Sequence, residues 1–430
     1  MSSAIASLRQ SLSFSFRYLA AEERAAGEAA GRSAQRRSLP PKLAFYLLAS
    51  ITVSFLAASS APTPLYATYQ ALWGFSPITV TVIFGIYAIA VLASLLVMGR
   101  LSDHLGRRPI LLGAVAVQLV ATLIFATADG VGQLLLGRVV QGLAAGAALG
   151  AIGAGMVDLD RERGTVANAV APTFGTATGG LLGGVVVQFL PAPTHLVFAI
   201  LGVVLLAQLI GVIFMAETIS PRAGALASLK PQFSLPPATR GPFLLAVPVF
   251  VAVWSVASLY GSVGPSMLRS MTGTNSPLLG GLALTALAAS SGIAVLLLQK
   301  QPPQVLMNLG AAALALGVAV AVLALPHKAV AVFFLGSVIA GIGFGAGFQG
   351  AMRTILPYAE AHQRAGVLSL IFVVSYLALG VPAVIAGAFI VRTHDVLGTA
   401  QGFGAAVIAL SLSALLGAAV RAATRRVAAA

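Results

Sequence analysis

Residues 99–108 read Gly99-Arg100-Leu101-Ser102-Asp103-His104-Leu105-Gly106-Arg107-Arg108, and this charged stretch separates two apolar runs. Neither run, 77–98 nor 109–128, contains a charged residue. Each is about as long as the roughly 20 residues that a helix needs to cross a bilayer. A short basic turn between two such runs is typical of a hairpin of membrane helices whose turn is cytoplasmic. The stretch therefore predicts a membrane protein.

The composition agrees, because only 8% of the 430 residues are charged and 58% are hydrophobic. A soluble domain carries about 25% charged residues. The chain has no Cys, which excludes disulfides, thiolate metal sites and cysteine catalysis. Clustered Ser, His and Asp, paired carboxylates, metal-ligand patterns and a nucleotide-binding loop are also missing from the sequence. We therefore expect no enzyme, no catalytic residues, no metal and no cofactor.

Charge-poor apolar runs predict an all-α membrane protein with twelve spans. They cover residues 43–68, 77–98, 109–128, 131–157, 165–189, 195–215, 242–265, 277–298, 305–325, 329–352, 366–391 and 397–420. The proline-containing segment 216–241 divides the chain into two six-helix bundles, 43–215 and 242–420. Residues 1–42 and 421–430 are predicted to be cytoplasmic tails.

The basic residues are distributed unevenly between the two sides of this topology. Twenty-one Lys and Arg residues fall on the side of the tails and the central loop, against three on the other side. This bias predicts that both termini are cytoplasmic. Because the lipid surface accounts for the formal charge of +14, no nucleic-acid partner is expected.

The two halves resemble each other in sequence. Ser76-Pro77 and Ser276-Pro277 open the second and eighth spans, and each pair is expected to act as an N-cap followed by proline. Gly137, Gly142 and Gly146 recur as Gly336, Gly341 and Gly345, and Pro64 recurs as Pro265. The offsets of about 200 residues predict two parallel repeats with a substrate site between them near mid-membrane.

The stretch 99–108 also resembles the signature of the major facilitator superfamily, G-x-L-a-D-r-x-G-R-[RK]. Gly99, Leu101, Asp103, Gly106, Arg107 and Arg108 match it, whereas Ser102 and His104 replace the usual Ala and Arg. The resemblance implies a twelve-helix fold of two pseudo-symmetric bundles, and within it the bacterial drug-efflux branch of the inner membrane.

The family likeness implies that Gly99, Asp103, Gly106, Arg107 and Arg108 form a gating charge motif. Candidate partners lie in the next cytoplasmic loop, at Asp158, Asp160, Arg161, Glu162 and Arg163. The alternative is that the basic residues only fix the orientation of the chain. That alternative explains Arg107 and Arg108 but not Asp103 or the glycines, so we favour gating.

Arg138 is the one charged residue predicted well inside a span, and it opens a segment, Arg138 to Gly142, that resembles the family pattern R-x-x-q-G. Charges inside membranes usually face an interior and serve function. Arg138 and Gln141 are therefore candidates for substrate binding or coupling. A structural arginine that snorkels or bonds carbonyl groups is the alternative.

Residues 175–184 resemble the antiporter-associated pattern g-x-x-x-G-P-x-x-G-G, with Gly180 in place of the proline. Small residues at four-residue spacing allow close packing of membrane helices, which explains the pattern without antiport. The packing candidates are Gly175, Gly179, Gly180, Gly183 and Gly184.

Polar and aromatic residues near mid-span are further pocket candidates, although such side chains also bond across helices. They are Tyr87, Asn168, Trp254, Tyr260, Gln349 and Tyr376. No acidic residue is predicted deep in a span, which favours neutral or anionic substrates over cations.

We expect a monomeric secondary transporter in the lipid bilayer that exports amphipathic drug-like molecules, with protons as a candidate coupling ion. The alternatives are uptake of a sugar-like or organic-acid metabolite, and a membrane receptor or scaffold that transports nothing.

Overall fold

A computed structural model describes residues 38–360 and 362–429, so most of the predicted N-terminal tail lies outside the described residues. The described chain is helical and contains no strand. Twelve of its helices are long and apolar enough to cross a membrane. They are α1 (Pro41–Ser60), α2 (Pro77–Met98), α3 (Arg107–Ala126), α4 (Val131–Leu159), α5 (Arg161–Phe189), α6 (Pro193–Ile213), α7 (Pro237–Ser262), α8 (Pro277–Leu298), α9 (Pro303–Ala324), α10 (Val330–Ile355), α11 (Arg364–Thr393) and α12 (Val396–Ala429).

Proline occupies the first or second position of six of these helices: α1, α2, α6, α7, α8 and α9. Its fixed φ suits a helix start, where its missing N–H costs nothing. Ser276 caps α8 as predicted, with its Oγ accepting from the N–H of Leu279 at 3.4 Å. Ser76 precedes α2 in the same way but makes no such cap, and its Oγ lies 3.2 Å from Oγ1 of Thr79.

Equivalent helices of the two halves pack in equivalent ways. In α4, the glycines Gly142 and Gly146 lie against α2. In α10, Gly341 and Gly345 lie against α8. Because glycine lets two backbones approach closely, the sequence repeat corresponds to the same helix crossing in both halves.

The spans predicted at 43–68 and 242–265 are wrong at their C-terminal ends. Each was expected to be one helix, but the structure divides each into two. Helix α1 ends at Ser60, and a separate helix, Tyr66–Trp73, follows the turn that contains Pro62 and Pro64. Helix α7 ends at Ser262 and is followed by the helix Gly264–Thr272. Proline removes a helical hydrogen bond, so the chain breaks at both places. Helix α12 also continues beyond the predicted end at residue 420.

We call the end of the bundle at which α1 begins the termini side, and the opposite end the far side. Helices α4 and α7 are central and the most buried of the twelve. Helix α12 lies at the periphery and is the least buried. The halves meet where α2 packs on α11 and α5 packs on α8. Three side-chain hydrogen bonds join the halves among the described residues, in the middle or far-side part of the helices: Thr63 Oγ1 to Gly261 O (3.3 Å), Ser276 Oγ to Gln188 Oε1 (3.2 Å) and Thr285 Oγ1 to Ala177 O (3.0 Å).

Candidate functional site

The turn between α2 and α3 is held by a carboxylate from the end of the N-terminal half. Gly106 precedes α3 with a φ of 102°, a value that favours glycine. The carboxylate of Glu217 accepts from the main-chain N–H groups of Arg107 (2.8 Å) and Arg108 (3.0 Å). An anionic group there is stabilised by the free N–H groups and dipole of α3. A Cβ on residue 106 would lie 2.5 Å from this carboxylate, so a larger residue would also displace Glu217 from its place on α3. Sequence reasoning missed Glu217, whose only signal is an acidic residue directly after the sixth span.

Arg107 is the centre of the charge motif and is only 7% exposed. Its guanidinium donates to Asp103 at 2.5 Å, to Ser102 at 2.7 Å and to Asp158 at 3.3 Å. Of the five predicted partners, the structure brings Asp158 into the cluster. All these contacts lie within the N-terminal half, so the cluster does not join the halves in this state. Asp160 and Arg163 instead pair with each other at 3.6 Å.

Arg138 lies inside the N-terminal half, 1% exposed, with all three guanidinium nitrogens hydrogen-bonded. Its Nε and Nη2 donate to the hydroxyl of Tyr66 at 3.2 and 2.5 Å. Its Nη1 donates to the main-chain carbonyl of Ser59 at 2.7 Å and to Gln141 Oε1 at 2.8 Å. The charge remains and is stabilised by hydrogen-bond acceptors of this half, since a buried charge is costly without such partners.

The carbonyl groups that Arg138 and Gln141 bind are those that the break in α1 sets free. Pro62 has no N–H to donate to Ala58, and the N–H of Thr63 bonds Ser60 instead of Ser59. Gln141 Nε2 donates to the Ala58 carbonyl at 3.1 Å, and Arg138 serves Ser59. Side chains of α4 thus cap the end of α1. Tyr66, 3% exposed, belongs to this buried network.

Aromatic rings surround the Arg138 guanidinium. Its carbon lies 5.3 Å from the ring centre of Tyr87, 5.7 Å from Phe125 and 5.8 Å from Tyr66. Cations favour the faces of such rings, most strongly where water is excluded.

A second aromatic group continues this arrangement across the interface between the halves. Tyr87 of α2 and Tyr376 of α11 share one buried cluster. The ring of Tyr376 lies 5.3 Å from Trp254 of α7, which lies 5.8 Å from Phe348 and 6.2 Å from Phe344 of α10. The indole N–H of Trp254 is buried without a partner. We call these five residues the aromatic cluster. The sequence predicted Tyr87, Trp254 and Tyr376 but missed both phenylalanines.

Two other predicted pocket residues lie apart from the aromatic cluster, and a third, Gln349, directly follows Phe348 in α10. Tyr260 is 3% exposed and bonds Ser337 at 2.7 Å inside the C-terminal half. Asn168 donates to the carbonyl of Gly153 at 2.9 Å. Gln349 has a buried Oε1 without a partner.

The five glycines of α5 form two separate contact faces. Gly175, Gly179 and Gly183 lie against α1 of the same half. Gly180 and Gly184 instead lie against α8 of the other half. A Cβ on Gly281 of α8 would approach the Gly180 carbonyl oxygen closely, so the crossing of α5 and α8 has no room for a side chain. Gly180, the residue that departs from the family pattern, is therefore part of the interface between the halves.

Comparison with known proteins gives one family across most of the chain. The model of the Major Facilitator Superfamily matches residues 47–383. The multidrug resistance protein MdtL of Klebsiella pneumoniae is 27% identical over 69% of this chain and 76% of its own length. The cephamycin export protein CmcT of Amycolatopsis lactamdurans is 33% identical over 34% of this chain and 31% of its own. The inner membrane transport protein YajR of Escherichia coli is 36% identical over 23% of this chain and 22% of its own.

Two solved structures share the fold. The nucleoside transporter NupG superposes with a TM-score of 0.66 at 12% identity, over 88% of this chain and 100% of that one. A bacterial homologue of the lysosomal transporter Spinster superposes with a TM-score of 0.67 at 15% identity, over 90% and 98%. At these identities the likeness concerns the fold alone.

Proposed function

The chain belongs to the major facilitator superfamily of transporters, and we propose that it exports amphipathic aromatic molecules that are neutral or anionic. The proposed binding site is the aromatic cluster at the interface of the halves. Rocking of the halves about that site would expose it to each side of the membrane in turn.

The aromatic cluster is the observation that carries this proposal. Rings from both halves meet there, so a flat apolar ligand could stack against α2, α7 and α11 together. Stacked aromatic pairs contribute about 1 kcal/mol beyond the burial of area. The free indole N–H of Trp254 offers one hydrogen bond to an acceptor on the ligand.

The distribution of charge supports a neutral or anionic ligand. The acidic residues that are described all lie at helix ends or in connections between helices, so the cluster has no carboxylate to hold a cation. The buried charge of Arg138 lies behind the Tyr87 ring and adds a positive potential. We therefore propose Arg138 as a positioning residue for α1 and Tyr87, with its nitrogens already occupied.

Export is supported by the names of two relatives, a multidrug resistance protein and a cephamycin export protein. Uptake of a sugar-like or organic-acid metabolite would instead favour a site rich in Asn and Gln. The aromatic cluster is lined by rings, so it favours export of aromatic molecules over uptake of such a metabolite.

We further propose that the termini side is cytoplasmic, because it carries most of the Lys and Arg residues. The hydrogen bonds between the halves lie away from that side, so this state would face the cytoplasm.

The test is flux in proteoliposomes with cationic, neutral and anionic aromatic dyes, sugars and nucleosides, with and without a pH gradient. We expect neutral and anionic dyes to move, and Trp254→Ala to slow them more than Tyr260→Ala, which also removes a buried ring but outside the cluster. Transport of cations alone, or of sugars alone, would overturn the proposal.

A further inference from the structure

We propose that the hydrogen bond from the Thr63 hydroxyl to the main-chain carbonyl of Gly261, which we call the far-side bond, keeps the far side of the molecule closed. The donor belongs to the N-terminal half and the acceptor to the C-terminal half. The bond therefore exists only while the halves touch on that side. This inference rests on the proposed rocking of the halves but not on the substrate, and its test uses no substrate.

The Gly261 carbonyl needs a donor from elsewhere because a proline follows it in the chain. Pro265 has no N–H to give to Gly261, the residue four positions before it. Thr63 Oγ1 donates to that carbonyl at 3.3 Å, and Thr63 is 1% exposed. The ring of Phe84 covers Gly261, since a Cβ on Gly261 would lie 2.6 Å from it. The carbonyl is thus enclosed, and a buried carbonyl without a donor is costly.

The break at the end of α1 is completed in a different way. Its prolines also free main-chain carbonyls, but Gln141 donates to Ala58 at 3.1 Å, and the N–H of Thr63 donates to Ser60 at 3.0 Å. Both donors belong to the N-terminal half, so that break does not depend on contact between the halves. The break after α7 does depend on it, and its hydrogen bonding changes when the far side opens.

The other two side-chain hydrogen bonds between the halves lack this property. Thr285 Oγ1 lies 3.0 Å from the carbonyl oxygen of Ala177 and 2.9 Å from that of Gly281 in its own helix. Its hydroxyl therefore keeps a partner when the halves separate. The bond between Ser276 and Gln188 is exposed, so water can replace it. Of the three bonds, the far-side bond is the one whose loss leaves an enclosed carbonyl unsatisfied.

The experiment measures how fast a thiol reagent labels a single Cys at position 81 of the purified full-length protein, which has no Cys of its own. Thr81 is 2% exposed, near the far-side end of α2, and lies against Gly387 of α11 in the other half. Labelling of Thr81→Cys therefore reports separation of the halves on the far side.

Adding Thr63→Val to this protein should speed labelling about tenfold, because the Gly261 carbonyl then has no donor until the far side opens to water. The matched control is Thr285→Val, which removes a hydroxyl of the same residue type from the same interface. It should change the rate by less than about twofold. Thr63→Ser keeps the hydroxyl and should label like the protein that carries only Thr81→Cys.

A double-mutant cycle with Pro265→Ala tests the cause, because alanine restores the N–H that Gly261 lacks. In that background Thr63→Val should add less than about twofold to the labelling rate. An undiminished effect there would overturn the proposal, and so would equal rates in Thr63→Val and Thr285→Val. Labelling of Thr63→Ser as fast as that of Thr63→Val would assign the effect to packing and would also contradict it. None of these rates depends on which molecule is transported, so the result is separate from that of the dye flux experiment.

Discussion

Arg138 donates a hydrogen bond of 2.7 Å to the main-chain carbonyl of Ser59, a carbonyl that the proline-containing turn leaves without a helical partner. The contact links a charge in α4 to the bend in α1. In a membrane, a buried guanidinium without acceptors and a free main-chain carbonyl are each costly. Here the guanidinium of Arg138 and the carbonyl of Ser59 supply each other's hydrogen-bond partner. The bend in turn lets the following helix bring the Tyr66 hydroxyl to the same guanidinium.

Replacing Arg138 with Ala should therefore destabilise the protein. The change leaves Ser59 and Tyr66 without a donor in a buried place, which we expect to cost about 3 kcal/mol. Thermal unfolding in detergent should show a lower midpoint than for Arg163→Ala, whose side chain is exposed. Unchanged stability with lost substrate affinity would show instead that Arg138 binds the substrate directly.

Replacing Tyr376 with Ala should weaken substrate binding about tenfold, because its ring lies against Trp254 and shares a buried cluster with Tyr87. Tyr376→Phe keeps the ring and should bind within a factor of about two of wild type. Equilibrium binding of a transported dye measures both. Equal losses in the two variants would assign the role to the hydroxyl, and no loss in either would remove the aromatic cluster from the site.

Replacing Gly281 with Val should disfavour the far-side contact, since a side chain there meets the Gly180 carbonyl. We expect the halves to separate on that side. The chain has no Cys, so a single Cys at Leu284, a buried residue beside Gly180, reports the accessibility of this contact to a thiol reagent without background. Labelling should be faster in Gly281→Val than in Gly113→Val, where a Cβ meets nothing within 4 Å. Equal rates would mean that the crossing does not control opening.

Replacing Asp103 with Asn should impair transport but not insertion, because it removes one of the two carboxylate charges that face the Arg107 guanidinium while Asp158 remains. The measurement is flux together with abundance in the membrane. Glu162→Gln, an exposed charge of the same end, is the control. Normal flux in Asp103→Asn would leave the charge motif with a topological role only.

Much of this architecture could be predicted from the sequence because a bilayer restricts it severely. An uncharged run such as 77–98 must be a helix, since its backbone groups have no water to bond. Internal repetition, for instance of Gly142 and Gly341, indicated equivalent helix crossings, and the structure has them. The breaks after Ser60 and Ser262 were missed because hydropathy continues through them, although proline marked both places.

The composition of the candidate site depended on three-dimensional contacts. Tyr87 and Tyr376 are almost 300 residues apart in the chain, and no local pattern says that they meet. Phe344 and Phe348 resemble any apolar membrane residues until Trp254 is found beside them. Tyr260 lies near the far-side end of α7, where its hydroxyl bonds Ser337, so the same residue type belongs to a different set of contacts.

The sequence by itself determined that the chain is a twelve-helix transporter with a basic end, because apolar length, charge bias and the 99–108 motif are properties of local residue order. Only the tertiary structure decided that Arg138 caps α1, that Arg107 is neutralised within its own half, and that Gly180 faces the other half. Those outcomes depend on which groups the packed helices bring within hydrogen-bonding or contact distance, and helical periodicity alone does not fix which neighbour each face meets.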